Sequence, residues 1–600
     1  MSAQTTQEVT GAEEVLWNLA ELYSGPTDPA IEKDLDGALT SSRAFKESYH
    51  GKVATLGAAD LNAAITEMER ISSIATRAGD YAYMYFSTDT SDPVRGALLQ
   101  MVEEKATALA TELLFFTLEW VEVPEDTAAR ILTDPKIEAY RHFLESARKY
   151  KPYVLSEPEE KILTEKSVSG SSAWSRLFTE LMSAVRVQID GVEFPMEAAL
   201  SKLQQPDRGL RQRAAESITE ALATGLRTRS FIFNALLLDK STDDRLRSYP
   251  NWISSRNLSN EASDETVNAL VGAVVSRYDI PQRWYKLKAR LLGLDRLMDY
   301  DRMAPLQEHR VATSWDEARA TVIDAYESFS PRAGSIIRRF FDESWIDAAA
   351  GANKTPGAYC VTTVPWGHPY VLMSFTGERR SVLTLAHELG HGLHGYLAGE
   401  KNSLLNASTP LTMAETASVF GEALTFGRLL EAETDPSRRL DLLAGKLEDI
   451  IATVFRQIAM NRFEDAVHTA RRSSGELSVE AINEQWAATQ SALFGDSVEM
   501  SEGYKTWWSY IPHFIGSPGY VYAYAFGCLF SLAIFQRYQQ EGASMVEPYL
   551  ELLSAGGSDS PEILAKLVGI DLADHNFWSG GLEAVDALLA EAEQLAQQIG

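Results

Sequence analysis

The sequence predicts a mainly α-helical protein of two lobes with small β elements. Three observations carry that expectation. A chain of 600 residues exceeds what one core usually fills, so it should divide into two or more lobes. Apolar residues recur three and four positions apart through most of its length. Only two stretches break that period.

The helical pattern runs through segments 59–82, 96–120, 209–240, 262–292 and 316–340. It is longest from Leu440 to Val467, where Leu443, Leu447, Ile450, Ile451, Val454 and Ile458 predict an extended amphipathic helix. The first break, AVRVQIDGVEF, alternates Val185, Val187 and Ile189, then turns at Asp190-Gly191 into Val192 and Phe194; this is a hairpin signal. The polar, proline-containing stretch after it places a boundary near residue 200. Residues 1–200 would form an N-terminal helical lobe ending in the hairpin, and residues 201–600 a second domain. The second break, AYCVTTVPWGHPYVLMSFTG at 358–377, is rich in β-branched and aromatic residues and predicts a short strand. That strand would form a wall beside the histidines that follow it. No fixed-period repeat is visible, which disfavours an α-solenoid.

Composition narrows the partners. The 84 acidic against 55 basic residues give a net charge of −29, spread over both halves. Such a field repels phosphate backbones and anionic lipid, so neither nucleic acid nor membrane is expected as a partner. Hydrophobic residues at 45% argue against extended disorder. The two cysteines, Cys360 and Cys528, lie far apart and make no disulfide framework, which fits a reducing compartment. The N-terminus lacks a secretory pattern, and the most apolar run, YAFGCLFSLAIF at 524–535, is too short for a membrane helix. A soluble, cytoplasmic protein is expected.

Chemistry concentrates in TLAHELGHGLH, which holds three of the chain's ten histidines. Val382, Leu385, Leu389, Leu393 and Leu397 can form the buried stripe of a helix there. His387 and His391, four apart, would then share a face with Cβ atoms about 6 Å apart, so both imidazoles can converge on one tetrahedral Zn²⁺. Glu388, one residue round, can reach the metal's open position without ligating it and accept a proton from bound water. His394 shares the face, but a catalytic zinc keeps one position open, so it reads as polar packing. Gly390 and Gly392 imply that backbone or metal ligands come close to the helix.

A third ligand is expected from LTMAETASVFGEALTF, where Glu415 and Glu422 stand seven apart on one helix face. Glu415 can be that ligand, or it can close a capping box with Thr412; spacing leaves both open.

The blocks HPYVLMSF, TLAHELGHGLH, MAETASVFGEAL, TVFRQIAMNRFE and IPHFIGSPGYVYAYAFG, in this order and spacing, resemble oligoendopeptidase F, a branch of the thimet oligopeptidase family of zinc metallopeptidases. LWNLAELY near the N-terminus and the Asp-Gly hairpin are similar too. The resemblance implies that His387, His391 and Glu415 hold one zinc ion and that Glu388 is the general base. Glu422 becomes a candidate to orient a ligand histidine. The resemblance also implies a substrate-side cluster of His513 with Tyr524 and Tyr520, which could donate hydrogen bonds to the oxyanion. Tyr520 and Tyr524 would share a helix face, while Tyr522 points elsewhere and Trp507 and Trp508 fill core.

It further implies two helical lobes facing each other across a deep channel that admits short unstructured peptides and excludes folded proteins. HPYVLMSF could align such a peptide as an added strand. The expected activity is internal cleavage of oligopeptides. A zinc carboxypeptidase or dipeptidyl carboxypeptidase is the alternative within the same chemistry, and a catalytically inactive peptide-binding protein the alternative outside it.

Overall fold

The computed structural model describes residues 10–306, 312–351 and 353–599. Helix accounts for 72% of the described residues, so the mainly α expectation holds. Segments 59–82 and 96–120 lie within the helices Ala58–Ser87 and Pro93–Glu122, whose buried residues include Leu61, Ile65, Ile71, Phe116 and Trp120.

Three expected helices are each two. The 209–240 segment breaks into Arg208–Ala223 and Leu226–Leu246 at Gly225, whose φ of 76° is left-handed and ends the ladder. The 316–340 segment breaks before Pro331, which lacks the N–H a continuing helix needs, into Trp315–Phe329 and Pro331–Asp342. The 262–292 segment divides into Asp264–Ser276 and Asp279–Leu291. The Leu440–Val467 pattern is continuous through Pro436–Ile450, a π turn at Ile451–Phe455, and Arg456–Ser474.

The chain divides spatially into two compact units. The first comprises Met1–Lys151, Arg310–Glu431 and Arg537–Ile570; the second comprises Pro152–His309, Ala432–Gln536 and Asp571–Gly600. This partition differs from a division at residue 200. The hairpin and the helix beyond residue 200 sit together in the second unit, where Arg213 grips Asp190 at 2.8 Å. The histidine segment joins the N-terminal helices in the first unit, where Glu69 accepts the backbone N–H of Leu405 at 2.9 Å.

Seven short strands occur among the described residues: β1 (Arg186–Ile189), β2 (Val192–Pro195), β3 (Leu297–Met298), β4 (Ile346–Asp347), β5 (Tyr359–Val361), β6 (Tyr370–Leu372) and β7 (Val498–Glu499). β1 and β2 pair as the expected hairpin. Its turn residues, Asp190 and Gly191, both have positive φ, at 52° and 81°, as a two-residue type I′ turn requires. β3 pairs with β7 in parallel.

The remaining sheet runs β4-β6-β5, with β4 parallel and β5 antiparallel to β6. β6 belongs to HPYVLMSF and is paired on both sides, so it has no edge for an added peptide strand. The outer strands are β4 and β5, the latter in AYCV. Lys354 fastens this sheet from inside: its ammonium donates to the Asp347 carboxylate at 2.5 Å and to the carbonyls of Ala349 and Met373 at 2.8 and 2.6 Å. Burial pushes the Asp347 carboxyl up and the Lys354 ammonium down, and their mutual attraction opposes both shifts.

Among the described residues no helix is long and apolar enough to cross a membrane. The apolar run at 524–535 lies in the helix Tyr522–Glu541, where Phe526, Leu529 and Phe530 are fully buried. Among the described residues neither Cys360 nor Cys528 forms a disulfide.

Lys354→Met would leave the Asp347 carboxylate buried without its partner. Urea denaturation should register a loss of about 3–5 kcal/mol. The double variant Lys354→Met/Asp347→Leu should regain part of it; no regain would mean the pair contributes little.

Candidate active site

The motif helix runs from Arg379 to Lys401, and its five predicted stripe residues are at most 2% exposed. The stripe holds the helix against the core and leaves His387 and His391 on a partly open face, their rings 5.0 Å apart and nearly perpendicular.

Two glycines let neighbours come close. A Cβ on Gly390 would lie 2.4 Å from the Ala417 carbonyl oxygen and 2.6 Å from the Ser418 Cα. A Cβ on Gly392 would strike the Phe340 ring at 2.5 Å. Gly390 thus admits the backbone that carries Glu415.

Glu415 is not on one helix with Glu422. A short helix ends at Ala414, the next begins at Ser418, and Glu415 stands in the turn between them. The Ser418 hydroxyl donates to Glu415 Oε2 at 2.6 Å. The same oxygen lies 3.3 Å from His387 Nε2 and 3.7 Å from His391 Nε2, and one donor atom from each residue falls within 4.8 Å of the others. Donors about 2.0–2.1 Å from one tetrahedral ion stand roughly 3.3 Å apart, so the set fits a metal of that kind.

Glu422 Oε2 is 3.4 Å from His387 Nδ1. A proton held on Nδ1 toward this carboxylate leaves the Nε2 lone pair aimed at Glu415.

These residues face a cavity of about 430 Å³ whose walls include Tyr359 and Cys360 of β5, Thr362, Glu388 and His394. The β wall expected beside the histidines is therefore present, and His394 is buried in the cavity lining. Burial lifts the Glu388 carboxyl to about 7, with His387 pulling the other way and Glu415 adding to the rise. Burial disfavours a charged His387, but Glu422, Glu415 and Glu388 together lift it to about 8. Burial holds His391 at about 4 against the attraction of Glu415, and His394 at about 4. The pocket therefore stabilises one positive charge, next to a carboxyl poised to exchange a proton near neutrality.

His513, Tyr520 and Tyr524 meet within the second unit. His513 Nε2 is 3.2 Å from the Tyr524 hydroxyl, the His513 and Tyr520 rings are 6.0 Å apart, and the two tyrosine rings 5.0 Å apart. The helix starts only at Tyr522, so Tyr520 reaches the cluster from the preceding turn and not from a shared helix face.

Tyr522 does point elsewhere, its hydroxyl bonded to Asn260 at 3.0 Å. Trp507 and Trp508 are core, bonded to Thr219 and Asn483. Sequence reasoning missed Glu464, in the RFE of the fourth block. Fully buried and pushed up to about 8 by that burial, it accepts the Gly519 N–H at 2.8 Å and so fixes the turn before Tyr520. Gly519 has φ 74° against Trp252 and Ile253, a place no side chain fits well.

The chain matches the family model of Peptidase family M3 over residues 201–583 and that of Oligopeptidase F over residues 119–186. It is 26% identical to Oligopeptidase PepF of Bacillus subtilis (strain 168), with 97% of this chain and 87% of the relative covered. It is likewise 26% identical to the Group B oligopeptidase PepB of Streptococcus agalactiae, covering 89% and 91%. The fold matches the crystal structure of oligoendopeptidase F from Enterococcus faecium with a TM-score of 0.72 at 22% identity, over 94% of this chain and 98% of that one. The chain belongs to peptidase family M3, alongside the oligoendopeptidase F proteins, and is a metalloendopeptidase.

Proposed function

We propose that the protein is a zinc-dependent oligoendopeptidase of the cytoplasm that cuts short unstructured peptides internally. The observation that carries the reading is the convergence of His387, His391 and Glu415 beside the buried Glu388. Two imidazoles and one carboxylate are a donor set suited to a single catalytic zinc. Zinc bound there would lower the pKa of its water toward about 7 and polarise the scissile carbonyl.

The chain's own groups supply the rest. Glu388 takes a proton from the attacking water as its oxygen adds to the carbonyl carbon, then delivers that proton to the leaving amine as the C–N bond breaks. Its carboxyl, held at about 7 by burial, can do both near neutral pH. Glu422 keeps the His387 ring in one tautomer. Burial and Arg456 hold His513 below its ordinary value, which favours the neutral ring, and its Nε2 lies 3.2 Å from the Tyr524 hydroxyl that it orients. Tyr524, with Tyr520 beside it, carries the hydroxyl to which the family resemblance assigns oxyanion donation. The outer strand β5 offers backbone groups to an extended peptide regardless of its side chains.

Mass spectrometry of unstructured peptides tests the reading. Wild type should cut internally, whereas Glu388→Gln and chelator-treated protein should not, with Glu388→Gln retaining zinc. Trimming confined to the C-terminus would replace the endopeptidase reading with a carboxypeptidase one. Cutting by Glu388→Gln at the wild-type rate would remove that residue as base.

Tyr524→Phe should lower kcat by roughly 100-fold with little change in KM. A change in KM alone would make the ring a binding surface.

Zinc must displace the proton that His387 holds up to about pH 8. Its apparent affinity should therefore fall roughly tenfold for each unit below pH 8, as chelator competition at pH 6, 7 and 8 would register. A flat profile would mean that His387 is not a ligand.

A further inference from the structure

We infer that two buried tyrosines outside every sequence motif, Tyr326 and Tyr549, are positioning residues that set the spacing of the zinc donors and so the affinity for the ion. The inference rests on the zinc reading above.

The Tyr326 hydroxyl, from the helix Trp315–Phe329, donates to the carbonyl of Ala386 at 2.8 Å, and Ala386 immediately precedes His387. This hydroxyl occupies the place a side chain on residue 421 would take. A Cβ on Gly421 would lie 1.7 Å from the phenol oxygen and 3.2 Å from the Ala386 oxygen. Gly421 in turn precedes Glu422, the carboxylate beside His387 Nδ1. One hydroxyl is thus lodged between the backbone before His387 and the backbone before its orienting carboxylate.

Tyr549 acts on the other side of the donor set. From the helix Val546–Ala555 its hydroxyl donates to the carbonyl of Thr416 at 2.9 Å, and Thr416 immediately follows Glu415. Its ring stacks on Phe420 at 4.3 Å and meets the edge of Phe329 at 5.6 Å. Phe329 is one turn along the same helix from Tyr326, and it also meets Phe420 at 4.9 Å. Phe329, Phe420 and Tyr549 form one cluster of three rings, Tyr326 stands one turn from Phe329, and each tyrosine hydroxyl is tied to a carbonyl adjoining a ligand.

Phenylalanine would fill the same space at both positions. What the hydroxyls add is direction, since each fixes a carbonyl, and through it a ligand, at one distance. His387 and His391 lie on one helix and need little help to stay in register. Glu415 stands in a turn, and its distance from them depends on how the two backbones are held.

The test uses the full chain with Tyr326→Phe, Tyr549→Phe and a control, Tyr140→Phe. The control loses a buried hydroxyl that bonds Glu69 at 2.6 Å, away from any ligand. Zinc affinity is read by competition with a chromogenic chelator, and the thermal midpoint of the metal-free protein is measured beside it.

Each of the first two variants should bind zinc roughly 10–100-fold more weakly, while the control keeps wild-type affinity. Gly421→Ala, whose new Cβ meets the Tyr326 hydroxyl, should weaken zinc in the same range and replaces Tyr326→Phe if that variant does not fold. Wild-type affinity in both tyrosine variants overturns the inference. So does an affinity that falls in all three variants, control included, in step with the midpoint. Wild-type protein that takes up no zinc would instead overturn the zinc reading, and this inference with it.

Discussion

A carboxylate from a turn can join two imidazoles from a helix only if the two backbones nearly touch, and here they touch at Gly390. With hydrogen in place of a side chain, the motif helix lies against the Ala417 carbonyl and the Ser418 Cα. Glu415, two residues before Ala417, is thereby brought to the imidazole nitrogens. Any larger residue at 390 would push the turn outward. The apolar stripe from Val382 to Leu397 supplies the opposing constraint, since it keeps the helix from rolling away. The site is therefore a contact between two backbones, made by a glycine on one side and a buried stripe on the other.

Its electrostatics follow from the same closeness. Three carboxylates, those of Glu388, Glu415 and Glu422, surround His387 in a partly buried place, and together they favour a positive charge there. A divalent cation satisfies that preference better than a single proton. Glu388 is raised toward neutrality by burial, which suits a group that must accept a proton and then release it.

The helix of the motif and its buried stripe were legible in the sequence, because a 3.6-residue period and an HELGH spacing are local facts. So was the hairpin, since Asp190-Gly191 supplies the two positive φ angles its turn requires. The role of Glu415 stood open between ligand and cap, because spacing cannot say where a turn will fold. The structure puts its carboxylate beside the histidine nitrogens, where the Ser418 hydroxyl donates to it, and the short helix before it is headed by Pro410 without a side-chain cap, so Thr412 does not serve as the cap. Tyr520 was assigned to a helix face because i and i+4 fit a helix, but Gly519 interrupts the backbone and the helix begins later. HPYVLMSF read as a strand yet gave no sign that it would be paired on both sides. Tyr326 and Tyr549 lie 60 and 133 residues from the carbonyls they bind, and no local pattern marks such a partner.

The most direct measurement of the central claim is anomalous diffraction at the zinc edge from crystals of the zinc-loaded protein. The account requires one strong peak about 2.0–2.2 Å from His387 Nε2, His391 Nε2 and a carboxylate oxygen of Glu415. A peak bound through His387 Nδ1, or one from which Glu415 is absent, would contradict it.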